Sequence, residues 1–188
     1  MLMKTDLPFN PTHRDQYPWL INALFDRPLV GAEVGVQTGA YSEVLLRSVT
    51  WERFYCIDAW RQLENYVDAA NVADTEQECC YQQALQRLAP YARKVRVLRE
   101  LSTEATGWIA DGSLDFCYID ANHSFEAVAA DIAAYFPKIR PGGILAGHDY
   151  CGCWPGVMQA VDQFVGEHGQ ANFYHHPAES SWLFFKPR

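Results

Sequence analysis

The sequence predicts an α/β fold built on a doubly wound, mostly parallel sheet, and three observations carry that prediction. Short apolar runs of strand length alternate with segments of helical period, the pattern of strands covered by helices on both faces. Several of those runs end in an acidic or imidazole side chain close to a glycine-containing turn. The tail holds two apolar runs separated by Pro177 and polar residues, as a hairpin added to the sheet would.

The elements follow in chain order. A short helix is expected around Tyr17 to Phe25, then a strand from Leu29 to Val36 and a crossover helix starting with Tyr41 to Ser48. Phe54 to Asp58 reads as the second strand. Residues 59–74 are rich in Asn, Asp, Gln and aromatics without clean periodicity and read as a long connection or lid. Thr75-Glu76-Gln77-Glu78 has the form of a capping box opening a helix to Leu88. Val95 to Glu100 is the third strand, Thr103 to Ala110 a short helix, and Leu114 to Asp120 the fourth strand. Phe125, Val128, Ile132 and Tyr135 recur at helical spacing within Ser124 to Phe136, and Pro137 closes that helix. Pro141-Gly142-Gly143 reads as a turn before a fifth strand, Ile144 to His148; Gly156 to Glu167 is a last helix, and Asn172 to His175 with Trp182 to Lys186 form the hairpin.

With 188 residues, 49% of them hydrophobic, the chain suits one domain over 1–188, residues 1–28 forming a helical extension. A formal charge of -8 leaves no basic stripe to displace counterions, so nucleic acid is excluded as a partner and a small molecule is favoured. No run approaches the roughly 20 apolar residues that cross a bilayer, and Met1 to Gln16 lacks the layout of a secretory signal. A cytoplasmic protein without membrane contact is expected. Cys56 and Cys117 lie in strand-like runs and Cys79 and Cys80 are neighbours on a helix, which suits reduced thiols. Cys151 and Cys153 lack the second pair that a tetrahedral metal site needs. An aromatic N-terminal segment on so small a domain can pack against a second copy, giving a homodimer.

In open α/β sheets ligands sit beyond the carboxyl ends of the strands. There the sequence places Glu33-Val34-Gly35-Val36-Gln37-Thr38-Gly39-Ala40-Tyr41-Ser42, then Asp58, Asp120 and His148-Asp149. Glycines allow close approach of backbone to a ligand, and Asp58 follows the glycine turn by about 20 residues, where a carboxylate can accept both hydroxyls of a ribose. A dinucleotide fold wants G-x-G-x-x-G for its pyrophosphate; this loop offers only Gly35 and Gly39, preceded by Glu33, and no Walker lysine. A carboxylate there repels pyrophosphate and suits a ligand carrying an ammonium or sulfonium charge.

Glu33-x-Gly35-x-x-x-Gly39, Asp58, the stretch Tyr118-Ile119-Asp120-Ala121-Asn122-His123-Ser124 and the stretch Gly142 to Tyr150 together resemble the class I S-adenosylmethionine-dependent methyltransferases, and within them the branch of macrocin-type O-methyltransferases. The similarity covers Leu29 to Phe164. It implies a Rossmann-like, mostly parallel seven-stranded sheet with an antiparallel C-terminal strand, S-adenosylmethionine as cofactor, and transfer of its methyl to a small-molecule acceptor, a hydroxyl oxygen by preference. It places Gly35, Gly39, Glu33 and Ser42 at the methionine part of the cofactor, Asp58 and Trp60 at the ribose, Leu101 and Ser102 at the adenine, and Asp120 beside the methyl. Metal-using relatives add an acidic pair after the fifth strand; here the first member is His148 and only Asp149 is a carboxylate. Asp120, His148 and Asp149 are therefore candidate ligands for Mg, Mn or Zn, while His123 and His148 are candidate general bases. Tyr66, Tyr150 and Trp154 are expected to wall the acceptor pocket. The alternatives are a noncatalytic cofactor-binding or assembly module and a nucleotide-dependent oxidoreductase.

Overall fold

The computed structural model describes residues 11–176 and 178–188. Most of the amino-terminal half of the expected 1–28 extension, and Pro177 of the tail, lie outside the described residues. Among those described, a 3-10 turn at Arg14–Gln16 leads into α1 (Tyr17–Leu24), followed by β1 (Leu29–Val34), α2 (Ala40–Ser48), β2 (Trp51–Asp58), α3 (Asp74–Leu88) and β3 (Val95–Arg99). The second half continues with α4 (Ser102–Ala105), β4 (Leu114–Ile119), α5 (Phe125–Tyr135), β5 (Ile139–Gly147), α6 (Pro155–His168), β6 (Phe173–His176) and β7 (Ser181–Phe185).

The strands form one seven-stranded sheet in the order β3-β2-β1-β4-β5-β7-β6. The first five run parallel, and β7 lies antiparallel between β5 and β6. Strand order reverses at β1, which pairs with β2 on one side and β4 on the other, Val34 standing opposite both Ile57 and Ile119. Their carboxyl ends thus meet at the switch point, where a ligand crevice forms.

Side chains alternate across the strands and fill two cores. Phe116 and Tyr118 of β4 point to the face covered by α1, α2 and α3, where Leu20, Ile21, Leu45 and Phe54 pack. Cys117 and Ile119 point to the opposite face, against Val128, Ile132, Val161 and Phe164 of α5 and α6. The same alternation sends Ala32 and Val34 of β1 to the second core and leaves Glu33 facing α2. Ser124 caps α5, its hydroxyl accepting the backbone N–H of Ala127 at 3.3 Å, so that capping falls to Ser124 and leaves Asp120 to the cavity.

Three local expectations are corrected. Pro141-Gly142-Gly143 lies inside β5, which starts at Ile139; pairing with β4 slips between Leu114 and Phe116, and Gly142 takes φ +80°, so the extra residues are absorbed as a bulge. No capping box opens α3: it begins at Asp74 after Ala73, and the Asp74 carboxylate accepts the backbone N–H of Gln62 at 2.7 Å, fastening the preceding loop. The second strand starts at Trp51, whose ring packs on Phe54. No helix among the described residues is long and apolar enough to cross a membrane.

Candidate active site

The ends of β1, β2 and β4 open on a cavity of about 280 Å³, close to the lower bound of the roughly 300–1,000 Å³ usual for small-molecule sites. Glu33, Gly35, Asp58, Leu101, Ser102 and Asp120 all line it. Gly35 has φ +91°, and a Cβ there would stand 1.9 Å from the carbonyl oxygen of Asp120, so the close approach of the β1 and β4 ends itself requires glycine. Gly39, at φ +77°, turns the chain into α2 and faces Ala84 of α3.

Glu33 is 2% exposed, and the Ser42 hydroxyl donates to its carboxyl group from within the core. Burial pushes its pKa up to about 8. Burial thus favours the neutral acid over the carboxylate at Glu33. A carboxyl whose folded pKa exceeds its unfolded value stabilises the fold at low pH and loses that contribution as pH rises through the folded value. Glu33→Gln should therefore match wild type below about pH 4 and exceed it by several kcal/mol above about pH 8, the gap widening at about 1.4 kcal/mol per pH unit in between, in denaturant titrations.

Asp58 fastens the glycine loop to the second strand. One carboxylate oxygen accepts the N–H groups of Val36 and Gln37 at 3.0 and 2.8 Å, the other that of Trp60 at 2.8 Å. Burial raises its pKa against those three bonds. A carboxylate offers about four lone-pair sites, so capacity for a further donor remains. Trp60, expected beside a ribose, is 1% exposed; its ring packs on Tyr81, its indole N–H donates to the Gln37 carbonyl at 2.7 Å, and its place is behind the cavity wall.

Around Asp120 the structure gathers a cluster of charges. His123 Nε2 lies 3.1 Å from Asp149 and 3.6 Å from Asp120, yet makes no well-directed hydrogen bond. Its Nδ1 is held from the connection between β2 and α3, at 3.0 Å from the Asp68 carboxylate and 3.2 Å from the Tyr66 hydroxyl, which also donates to Asp68 at 3.0 Å. Burial works against a charge on His123, but the nearby carboxylates of Asp120, Asp149 and Asp68 outweigh it and raise its pKa. Trp154 packs on the ring at 4.4 Å.

His148 turns the other way. Its Nε2 sits 3.0 Å from Glu179 and its Nδ1 3.3 Å from Asp149, with Asp120 at 3.9 Å. Burial is again outweighed, here by the bonds to Asp149 and Glu179, and its pKa is pushed up to about 10. The grouping compact enough for a cation, among the described residues, is Asp120, His123 and Asp149, with donor atoms within 4.8 Å of one another. His148 is thus replaced by His123 in the candidate ligand set. Tyr150 also falls away from the acceptor side: its hydroxyl donates to Asp162 and its ring packs on Phe173 and His175. Arg14, Asp68 and Glu179, which complete the cluster, carry no motif; only the polar, aromatic and aperiodic character of 59–74 pointed toward the segment that holds Asp68.

A reversing parallel sheet thus carries an acidic group at the end of its second strand, a glycine turn after its first and a charged cluster after its fourth. Residues 32–150 match the family model described as methyltransferase domain, and the chain belongs to that family. A curated relative, an uncharacterized protein of Sinorhizobium fredii, is 27% identical over 133 residues; these cover 70% of this chain and only 14% of that protein. A Streptococcus mutans protein described as a methyltransferase, solved with S-adenosylhomocysteine, superposes with a TM-score of 0.68 at 13% identity, covering 95% of this chain and 99% of the other. The O-methyltransferase NovP gives 0.60 at 16% identity over 92% and 80%, and an rRNA methylase of Streptococcus thermophilus 0.64 at 13% over 92% and 95%. At such identities the likeness concerns the fold.

Proposed function

We propose that the protein transfers a methyl group from S-adenosylmethionine to a hydroxyl oxygen of a small molecule. The observation that carries this reading is the convergence of Asp58, the Gly35 loop and the Asp120–His123 cluster on one cavity. S-adenosylmethionine, when bound, supplies a methyl group on a sulfonium sulfur, open to in-line displacement. Asp58 serves the ribose, Leu101 and Ser102 border the adenine, and the ends of β1 and β4 frame the amino-acid end. Displacement of this kind needs alignment above all, plus removal of one acceptor proton. His123 takes that proton at Nε2: its Nδ1–H is directed at Asp68, so that once deprotonated the ring presents its lone pair toward Asp120 and Asp149. The net charge of -8 argues for a small acceptor over a polynucleotide.

A second reading has its own observation. The buried Nε2 without a hydrogen-bond partner, beside two carboxylates, fits a divalent cation held by Asp120, His123 and Asp149, with Asp68 as the orienting carboxylate behind the imidazole. Such an ion would lower the pKa of an acceptor hydroxyl.

Thermal unfolding with S-adenosylmethionine, S-adenosylhomocysteine and NAD, each at about 100 times an ordinary dissociation constant, tests the cofactor. Stabilisation of about 2.7 kcal/mol by the two adenosyl compounds alone is expected; a shift with NAD alone overturns the reading. Elemental analysis and chelation then separate the base from the cation.

A further inference from the structure

Arg14 lies in the 3-10 turn ahead of α1, outside the stretch that matches the family, yet it lines the same cavity as Gly35 and Asp58. Its backbone is fastened twice: its N–H donates to the Glu179 carboxylate at 3.0 Å, and its carbonyl accepts the Tyr41 hydroxyl at 2.9 Å. Its guanidinium stands 4.9 Å from the centre of the Tyr41 ring and donates through Nη1 to Asp120 at 3.0 Å. Its Nε lies 3.6 Å from Glu179, too far for a hydrogen bond, and Tyr118 flanks the group. A guanidinium carries five N–H donors in a flat fork suited to a carboxylate, so the bond to Asp120 leaves most of that fork to serve something else.

We propose that Arg14 binds the carboxylate of the amino-acid end of the cofactor, with Asp120 beside it receiving the ammonium. The proposal rests on the S-adenosylmethionine reading. An α-amino acid presents one negative and one positive group on the same carbon, and the pair Arg14–Asp120 presents the complementary charges side by side at 3.0 Å. The other cationic residues lining the cavity are Arg61, exposed three positions after Asp58, and His123, which is committed to the connection between β2 and α3 and to the carboxylates. The contacts with Tyr41, in the first turn of α2 just after Gly39, place Arg14 at the glycine-loop end of the cavity. An element outside the family's common core thereby selects for the intact amino-acid tail of the ligand.

The test compares two ligands by calorimetry: S-adenosylhomocysteine, and 5′-methylthioadenosine, which keeps the nucleoside and thioether sulfur but lacks the amino acid. In the full chain, Arg14→Gln should weaken S-adenosylhomocysteine by about tenfold to a hundredfold, the range for a hydrogen bond to a charged group, and change methylthioadenosine by less than about twofold. Arg14→Lys, which keeps the charge and loses the fork, should fall between. Methylthioadenosine binding also reports that each variant is folded. Equal weakening of both ligands, or of neither, overturns the proposal and leaves Arg14 as a brace for the N-terminal turn. Failure of both ligands to bind wild type overturns the cofactor reading itself, and the proposal with it.

Discussion

Replacing Asp58 with alanine should abolish measurable binding of S-adenosylhomocysteine, a loss of at least about a hundredfold in calorimetry. Two effects add. The proposed contact to the ribose goes, and so do the acceptors for the backbone N–H groups of Val36, Gln37 and Trp60, which hold the glycine loop against the second strand. Three N–H groups left without partners cost about 1–3 kcal/mol each where they stay dry, so the loop would shift to find water and the cavity floor would move with it. Asp58→Asn separates the two: its carbonyl oxygen keeps part of the loop anchorage, so cofactor affinity should fall less than in the alanine variant while the folded state survives. An alanine variant that binds the ligand as wild type does would remove Asp58 from the site.

The second large effect concerns chemistry rather than binding. With an acceptor in hand, His123→Gln should lower kcat by roughly a hundred- to ten-thousandfold, the usual contribution of a positioned base, while cofactor affinity changes by less than about threefold. Asp68→Asn should reproduce a fraction of that loss, because Asp68 holds His123 at 3.0 Å without facing the Asp120 side. A His123 variant with full kcat would show that proton removal lies elsewhere and leave the imidazole a structural link between Asp68 and Asp149.

Much of the fold is legible in the sequence because its central strands are buried on both faces and so read as largely apolar runs of strand length. Leu114 to Ile119 is buried along its whole length, Asp115 included, and its six residues are too few for a typical helix. Asp58 and Asp120 stand out for the same reason: each ends an apolar run with a charge. The bulge at Pro141 to Gly143 is not legible, since the same residues make a turn wherever the neighbouring strand does not require continued pairing. Trp60 misleads because it follows a strand end on the ligand side, while its burial depends on Tyr81 of α3, which local sequence does not place. Arg14 is harder still. It meets Asp120 across 106 positions and Glu179 across 165, and nothing near Arg14 in sequence distinguishes it from a solvated surface arginine.

Those separations bear on the order in which the molecule comes together. The backbone of Arg14 is tied to Glu179, and the hydroxyl of Tyr17 donates to the carbonyl of Trp182, again across 165 positions. Contacts that distant demand loop closure before they return any stabilisation, and they belong to the slow side of folding kinetics. A folding intermediate with the parallel strands β1 to β5 paired would already carry Asp58, the glycine turn and Asp120, and so would hold the nucleoside half of the cavity. The charged cluster would still be incomplete, because Glu179 reaches His148 and Arg14 only when the antiparallel pair β6 and β7 has docked.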